Sequence, residues 1–384
     1  MIFERLYKLF TSVRLTVALL GLGAVLVFWG TLAQVHLGTL QAQNEFFRSF
    51  FIFWHPSGST LNIPVFPGGY LVGGFLLINL FSAHLRYYRT SRKKAGIVMI
   101  HLGIVLLLLG QLLTDLLAHE SGMHLRNGEV KNYSEADRAC ELAVIETTAP
   151  DLDTVVAVPD RRLRPGAAIS VPQIPFTIRV KDYYSNSSVS TNSDGAGAHR
   201  VETAGGGPVI WWRELPRETN MERRDMPSGL IELVSPQGTG SMGSFLVSTF
   251  IKRPQEITTQ GRRFQLILRQ RRFYKPFSFR LLEFRHDRYA GTEIPKNFSS
   301  RVRLQVPETG EDREVLIKMN TPLRFKGETF YQASFDQDDG GTVLQVVHNP
   351  GWLTPYFSCI LVGAGLVVQF LTHLIGFAAK RRTV

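Results

Sequence analysis

The chain lacks the marks by which most enzymes declare themselves. Its 384 residues include only two cysteines, Cys140 and Cys359. Neither belongs to a CxxC or CxxCH, which excludes a thiol-redox pair and a covalent haem attachment site of the chain's own. Cys359 lies in a long apolar run and Cys140 in a polar segment, so a disulfide between them is not expected. No G-x-S-x-G elbow, Walker loop, dinucleotide fingerprint or HExxH is present. Nothing points to an enzyme acting alone. With 44% apolar and 20% charged residues, the chain is too apolar for disorder.

Long apolar runs are what it does have. Four are of membrane-spanning length: 15–35, 67–85, 95–117 and 356–379. The first follows basic residues, as a signal peptide would. It is long for such a peptide, and Thr31-Leu-Ala-Gln34 is a poor cleavage site.

Charge gives these runs an orientation. Segment 1–14, an amphipathic stretch suited to a cytoplasmic membrane face, carries net +2 from Glu4, Arg5, Lys8 and Arg14. The loop 86–94 carries +5 from Arg86, Arg89, Arg92, Lys93 and Lys94, and the tail 380–384 carries +3 from Lys380, Arg381 and Arg382. With four spans all three fall on one side, the cytoplasmic one by the positive-inside rule. These segments hold nearly all of the formal charge of +11. The basic balance is therefore a topology signal, and nucleic acid is not an expected partner.

The loop 36–66 is rich in aromatics: Phe46, Phe47, Phe50, Phe51, Phe53 and Trp54. It suits an interfacial belt or, alternatively, the floor for a flat hydrophobic ligand. Pro67-Gly68-Gly69 is a turn that can open the second helix.

The third run, AGIVMIHLGIVLLLLGQLLTDLL, carries Gly96, Gly103 and Gly110 at seven-residue intervals. These lie near one helix face and permit close packing; His101 lies off that stripe. An imidazole in hydrocarbon is paired, liganded or turned towards protein. It can pack against a neighbouring helix, ligate haem or metal, or relay protons. The relay lacks carboxylates, since Asp115 is three to four turns away. His84 and His373 lie near the inner ends of their runs, and His84 is a second candidate for haem. His36, His55, His119 and His124 fall near the outer surface. His199, His286 and His348 scatter through the large segment without ligand spacing, and most read as surface residues.

Residues 118–355 form one block without helical periodicity. Short alternating segments such as Phe176–Tyr183, Phe277–Phe284 and Arg301–Val306 predict an all-β sandwich or barrel. Pro175–Tyr183 and Pro276–Phe284 echo each other. Residues 185–208 are small and polar and read as an exposed, mobile loop. The arginine pairs 223–224, 262–263 and 271–272 suit a solvated strand face or an acidic partner. The expected fold class is an α-helical membrane protein with four transmembrane helices and a large all-β extracytoplasmic domain between helices three and four.

Three stretches, Ile294–Leu304, Ile317–Phe335 and Asn349-Pro-Gly-Trp352, resemble the ResB family. His101-Leu-Gly103 resembles that family's histidine motif in span three, and Gly30–Gln34 its end of span one. Residues 125–260 carry no such likeness. The resemblance implies a subunit of the System II apparatus for cytochrome c maturation, in the cytoplasmic (inner) membrane with both termini cytoplasmic. It implies a CcsA/ResC-type haem-handling partner, apocytochrome c as client, and haem b as transient cargo. The complex as a whole would be the holocytochrome c synthase. In the family the ResB-type subunit gives haem one axial histidine, so the resemblance assigns His101 to the haem iron. Trp211-Trp212 lacks the tryptophan-rich pattern of the partner's loop and reads as a strand feature. The alternative reading is a membrane-anchored β-domain scaffold or sensor with no haem role.

Overall fold

A computed structural model describes residues 2–56, 61–87, 94–150, 152–192, 197–201, 210–221, 223–235, 240–292 and 294–382. Most of the basic loop expected to set topology, 88–93, and residues 383–384 of the tail lie outside the described residues. The chain divides into two compact units. One holds Met1–His119, Thr219–Met221 and Asn349–Val384; the other holds Glu120–Glu218 and Glu222–His348.

The first unit is helical. Its helices are α1 (Ile2–Phe10), α2 (Val13–Leu37), α3 (Thr39–Ala42), α4 (Gly69–Tyr87), α5 (Ala95–Leu117) and α6 (Thr354–Arg382). Three of them, α2, α5 and α6, are long and apolar enough to cross a membrane; α4 is a shorter apolar helix over Gly69–Leu85. Most of the side chains on these helices face outward, as a lipid-solvated surface requires.

Contacts inside the unit are few and specific. The glycine stripe of α5 packs on α6. A Cβ at Gly96 would meet the Gly365 carbonyl oxygen and Gln369 nitrogen at 2.6 Å, and one at Gly103 would meet Val362 at 2.6 Å. Only a bare backbone allows this approach. On α4, the buried Asn79 accepts from the Thr16 hydroxyl at 2.6 Å and donates to the Phe10 and Ser12 carbonyls. This one side chain satisfies the backbone where α1 turns into α2.

The aromatic loop is more ordered than a plain connector. After α3 comes a π-turn, Gln43–Phe47, then a hairpin of Phe51–Trp54 on Ile63–Pro67. Phe46 is buried beside Leu26 and Ile52, edge-on to Trp29, while Phe50, Phe51, Phe53 and Trp54 are exposed. Gly68 and Gly69 open α4 with a backbone so close to residues 47 and 49 that a Cβ would lie 2.3 Å from a carbonyl oxygen. The Tyr70 amide donates to the Ser49 carbonyl, fixing the loop against the first turn of α4.

The second unit is built of strands, with one short 3₁₀ turn at Asp160–Arg162. Its largest sheet has ten strands. Two long strands, Val130–Glu146 and Arg262–Arg288, run antiparallel through its middle, and the second of them serves two separate cores. The first core gathers Leu142, Val144, Leu266 and Leu268 with Phe176, Ile178 and Ile231. The second gathers Phe277, Phe279 and Leu281 with Val302, Phe330 and Leu344. Ser300 donates across that core to Gln332 Oε1 and shares a hydrogen bond with the Thr342 hydroxyl, as distant strands of the curled sheet face each other. The echoing segments occupy matching roles in different places: Phe176 anchors the first core and Phe277 the second.

Residues 185–208 depart from expectation. Ser187–Ser190 and His199–Val201 are strands flanking Ile210–Glu214, which carries Trp211 and Trp212. Small polar residues enter this interior because they satisfy one another. Ser187 bonds Ser228 at 2.6 Å, and Ser228 donates to Ser248 at 2.7 Å. Residues 193–196 and 202–209 lie outside the described residues.

Candidate functional site

The site is a seam between α4 and α5. The glycine stripe of α5 is taken up by α6. His101 follows Gly96 by five residues, which turns it about 140° away from that stripe at 3.6 residues per turn. It meets α4 there. The His84 and His101 rings lie 6.3 Å apart between centroids, at 80° to one another, and both side chains are half-buried. The structure thus brings the two candidate histidines together. His373 does not join them; its ring bonds Gln369 one turn back on α6.

The seam keeps a seven-residue register. On α4 it runs Tyr70, Leu77, His84; on α5, in the opposite direction, Asp115, Leu108, His101. The far end is polar. The Tyr70 hydroxyl donates to Asp115 at 2.5 Å, and Arg48 pairs with the other carboxylate oxygen at 2.8 Å. Fourteen residues of helix separate Asp115 from His101, about 21 Å at 1.5 Å per residue. Asp115 is therefore held by its own partners, away from the imidazoles.

Imidazole suits iron chemistry because a neutral ring nitrogen is a good ligand and its apolar body is at home in a membrane interior. The donor set at this end of the seam fits a haem, and nothing in it requires a proton relay. Among the described residues no group of three or more His, Cys, Asp or Glu side chains forms a cluster that could hold a free metal ion.

The remaining candidates resolve into structural roles. Cys140 and Cys359 are unpaired. Burial, with Asp160 and Glu141 nearby, pushes the Cys140 thiol up to about 12, so it stays protonated and unreactive. The arginine pairs find acids within the unit: Arg224 with Asp137, Arg262 with Glu146, Arg272 with Glu135 and over the Tyr133 ring. His124 is partly exposed and bonds Asp336. His286 is not a surface residue: it is 4% exposed, bonds Asp339 at 2.9 Å and lies against Phe335. Alternation along Phe284–His286 puts them on one strand face, a signal that sequence reading passed over.

The ResB-like family model matches residues 238–343, which run from the first core across into the second. Protein NrfI of Wolinella succinogenes is 35% identical over 96 residues, covering 25% of this chain and 11% of that protein. The matched region is thus about a tenth of the length of that curated relative. Over residues 238–343 the chain is thus similar to the ResB-like family.

Proposed function

We propose that the protein is a haem-handling membrane subunit in cytochrome c biogenesis, and that His101 is an axial ligand to haem in transit. One observation carries this reading: an imidazole about two turns into α5 faces a second imidazole, His84, across a helix seam whose charged residues lie at its other end. The match of residues 238–343 to the ResB-like family supports it, and the resemblance implies a System II subunit working beside a CcsA/ResC-type partner. In this proposal α2, α4, α5 and α6 are four spans, both termini are cytoplasmic and the β unit is extracytoplasmic, where apocytochrome c is presented.

The chain's own contribution is positional. The glycine stripe fixes the rotation of α5, and that rotation aims His101 at the α4 side. The apolar seam excludes water from the porphyrin face, and a bound haem would supply the iron that takes the imidazole nitrogen. A partner histidine completes the pair, with His84 beside it.

The test is haem content. The full chain is co-expressed with its CcsA/ResC-type partner, purified in detergent and extracted for haem b. Wild type is expected to retain haem and His101→Gly to lose most of it. Equal haem in both, or none in wild type, favours a scaffold or sensor whose work lies in the β unit.

A further inference from the structure

Starting seven residues from the imidazoles, the same seam widens into a cavity of about 670 Å³. Its walls are apolar: Phe47, Phe50, Leu77, Leu108 and Leu112. The space exists because α4 presents Gly73 and Gly74 there, where an added Cβ would meet nothing within 4 Å. The polar end is the Arg48–Asp115–Tyr70 cluster. Its charges cancel, so it offers no net attraction to an anion. It does offer hydrogen bonds, because Arg48 spends only part of its five-donor fork on Asp115. Gln43 adds the opposite polarity. The residue lines the cavity, and its Oε1 is closed off from solvent and accepts no hydrogen bond, so a rotation of the side chain that turns Oε1 to the cavity gives up no partner.

We propose that this cavity binds a membrane quinol, with one ring hydroxyl donating to Gln43 Oε1 and a ring oxygen accepting from Arg48. Each feature selects against the other common amphiphiles. A phosphodiester or a propionate brings a negative charge that Asp115 has already neutralised at Arg48, and the ionised group itself has no donor for Gln43. A quinol ring is neutral, flat enough for the gap beside two glycines, and donates as well as accepts. Phe47 and Phe50 supply aromatic walls of the kind that pack on a ring face. The isoprenoid tail would continue among Leu77, Leu108 and Leu112. Gln43 also sets redox preference, because the oxidised quinone has no hydroxyl to give. The site stands whether or not the imidazoles hold haem.

The test uses the full chain with its partner in detergent, under anaerobic conditions, titrated with decylubiquinol and separately with decylubiquinone. Wild type is expected to bind the quinol saturably and more tightly than the quinone. Gln43→Leu should weaken the quinol about tenfold, the scale of one lost hydrogen bond, and leave the quinone unchanged. Leu112→Trp, which fills the cavity, should abolish both. Unchanged helical circular dichroism and unchanged haem content in both variants separate loss of the site from loss of the fold. The proposal is overturned if binding does not saturate, if Leu112→Trp binds as wild type does, if Gln43→Leu affects both forms alike, or if phosphatidylglycerol displaces the quinol at equal concentration.

Discussion

The two units of this molecule solve opposite solvent problems. The β unit hides its large apolar side chains: Phe176, Phe264, Phe279 and Phe330 are almost wholly buried. The helical unit turns most of its apolar side chains out, keeps one small apolar cluster at Leu26, Phe46 and Ile52, and buries glycines and Asn79 between its helices. Where the hydrophobic effect acts, bulk makes the core. Where lipid is as apolar as leucine, close backbone approach and hydrogen bonds decide which helix faces which. A polar residue in the helical unit is thus a deliberate contact, whereas in the β unit a polar residue is routine.

That contrast can be broken at both ends. The largest effect is expected at Gly96. Its neighbours on α6 are backbone atoms that cannot give way, so Gly96→Leu should separate α5 from α6 and leave no monodisperse protein in size-exclusion chromatography. In the β unit the greatest single losses should come from volume and charge. Phe279→Ala empties a site packed edge-on against Phe330 at 4.9 Å and should cost about 3–5 kcal/mol in chemical denaturation. Glu141→Ala strands Arg269, 7% exposed and 3.1 Å away, and should cost a similar ~3–5 kcal/mol. Glu141→Ala with Arg269→Leu should recover part of that loss, because it removes the orphaned charge.

Asn79→Leu comes next. It gains apolar volume and loses three hydrogen bonds, so a purely hydrophobic account predicts a gain in stability. Loss of those hydrogen bonds should instead cost about 1–2 kcal/mol, read as lower thermal stability in detergent.

The smallest effect is pH dependence. Hydrogen bonds from Arg262, Arg285 and Arg303 hold Glu146, Glu283 and Asp312 below the usual carboxylate range. A carboxylate whose folded value is depressed stabilises the fold above its unfolded value, and that contribution is lost as pH falls through the folded one. The β unit should therefore lose stability gradually below about pH 4.5. The loss should be modest and weakened by salt, because these pairs are exposed.

Much of this was legible in sequence where a period carries the information. The seven-residue glycine interval marked the packed face of α5 and placed His101 off it. Alternation marked the strands, and Trp211-Trp212 fell on one. What escaped were contacts between residues far apart in the chain. Arg48, Tyr70 and Asp115 belong to three different elements, and no local pattern announces that they meet. Gln43 carries no local signal in the sequence; the π-turn places it at the cavity. Composition misled at 185–208, because a serine-rich strand buried on other serines looks like a solvated loop.

The proposed ligation of haem by His101 is tested by the absorption spectrum of the purified complex for wild type and His101→Gly, before and after added imidazole. Low-spin haem bands are expected in wild type, lost in the variant, and restored when imidazole fills the space left by the ring. An unchanged spectrum in the variant would contradict it, and would make the contact between His84 and His101 a matter of helix packing alone.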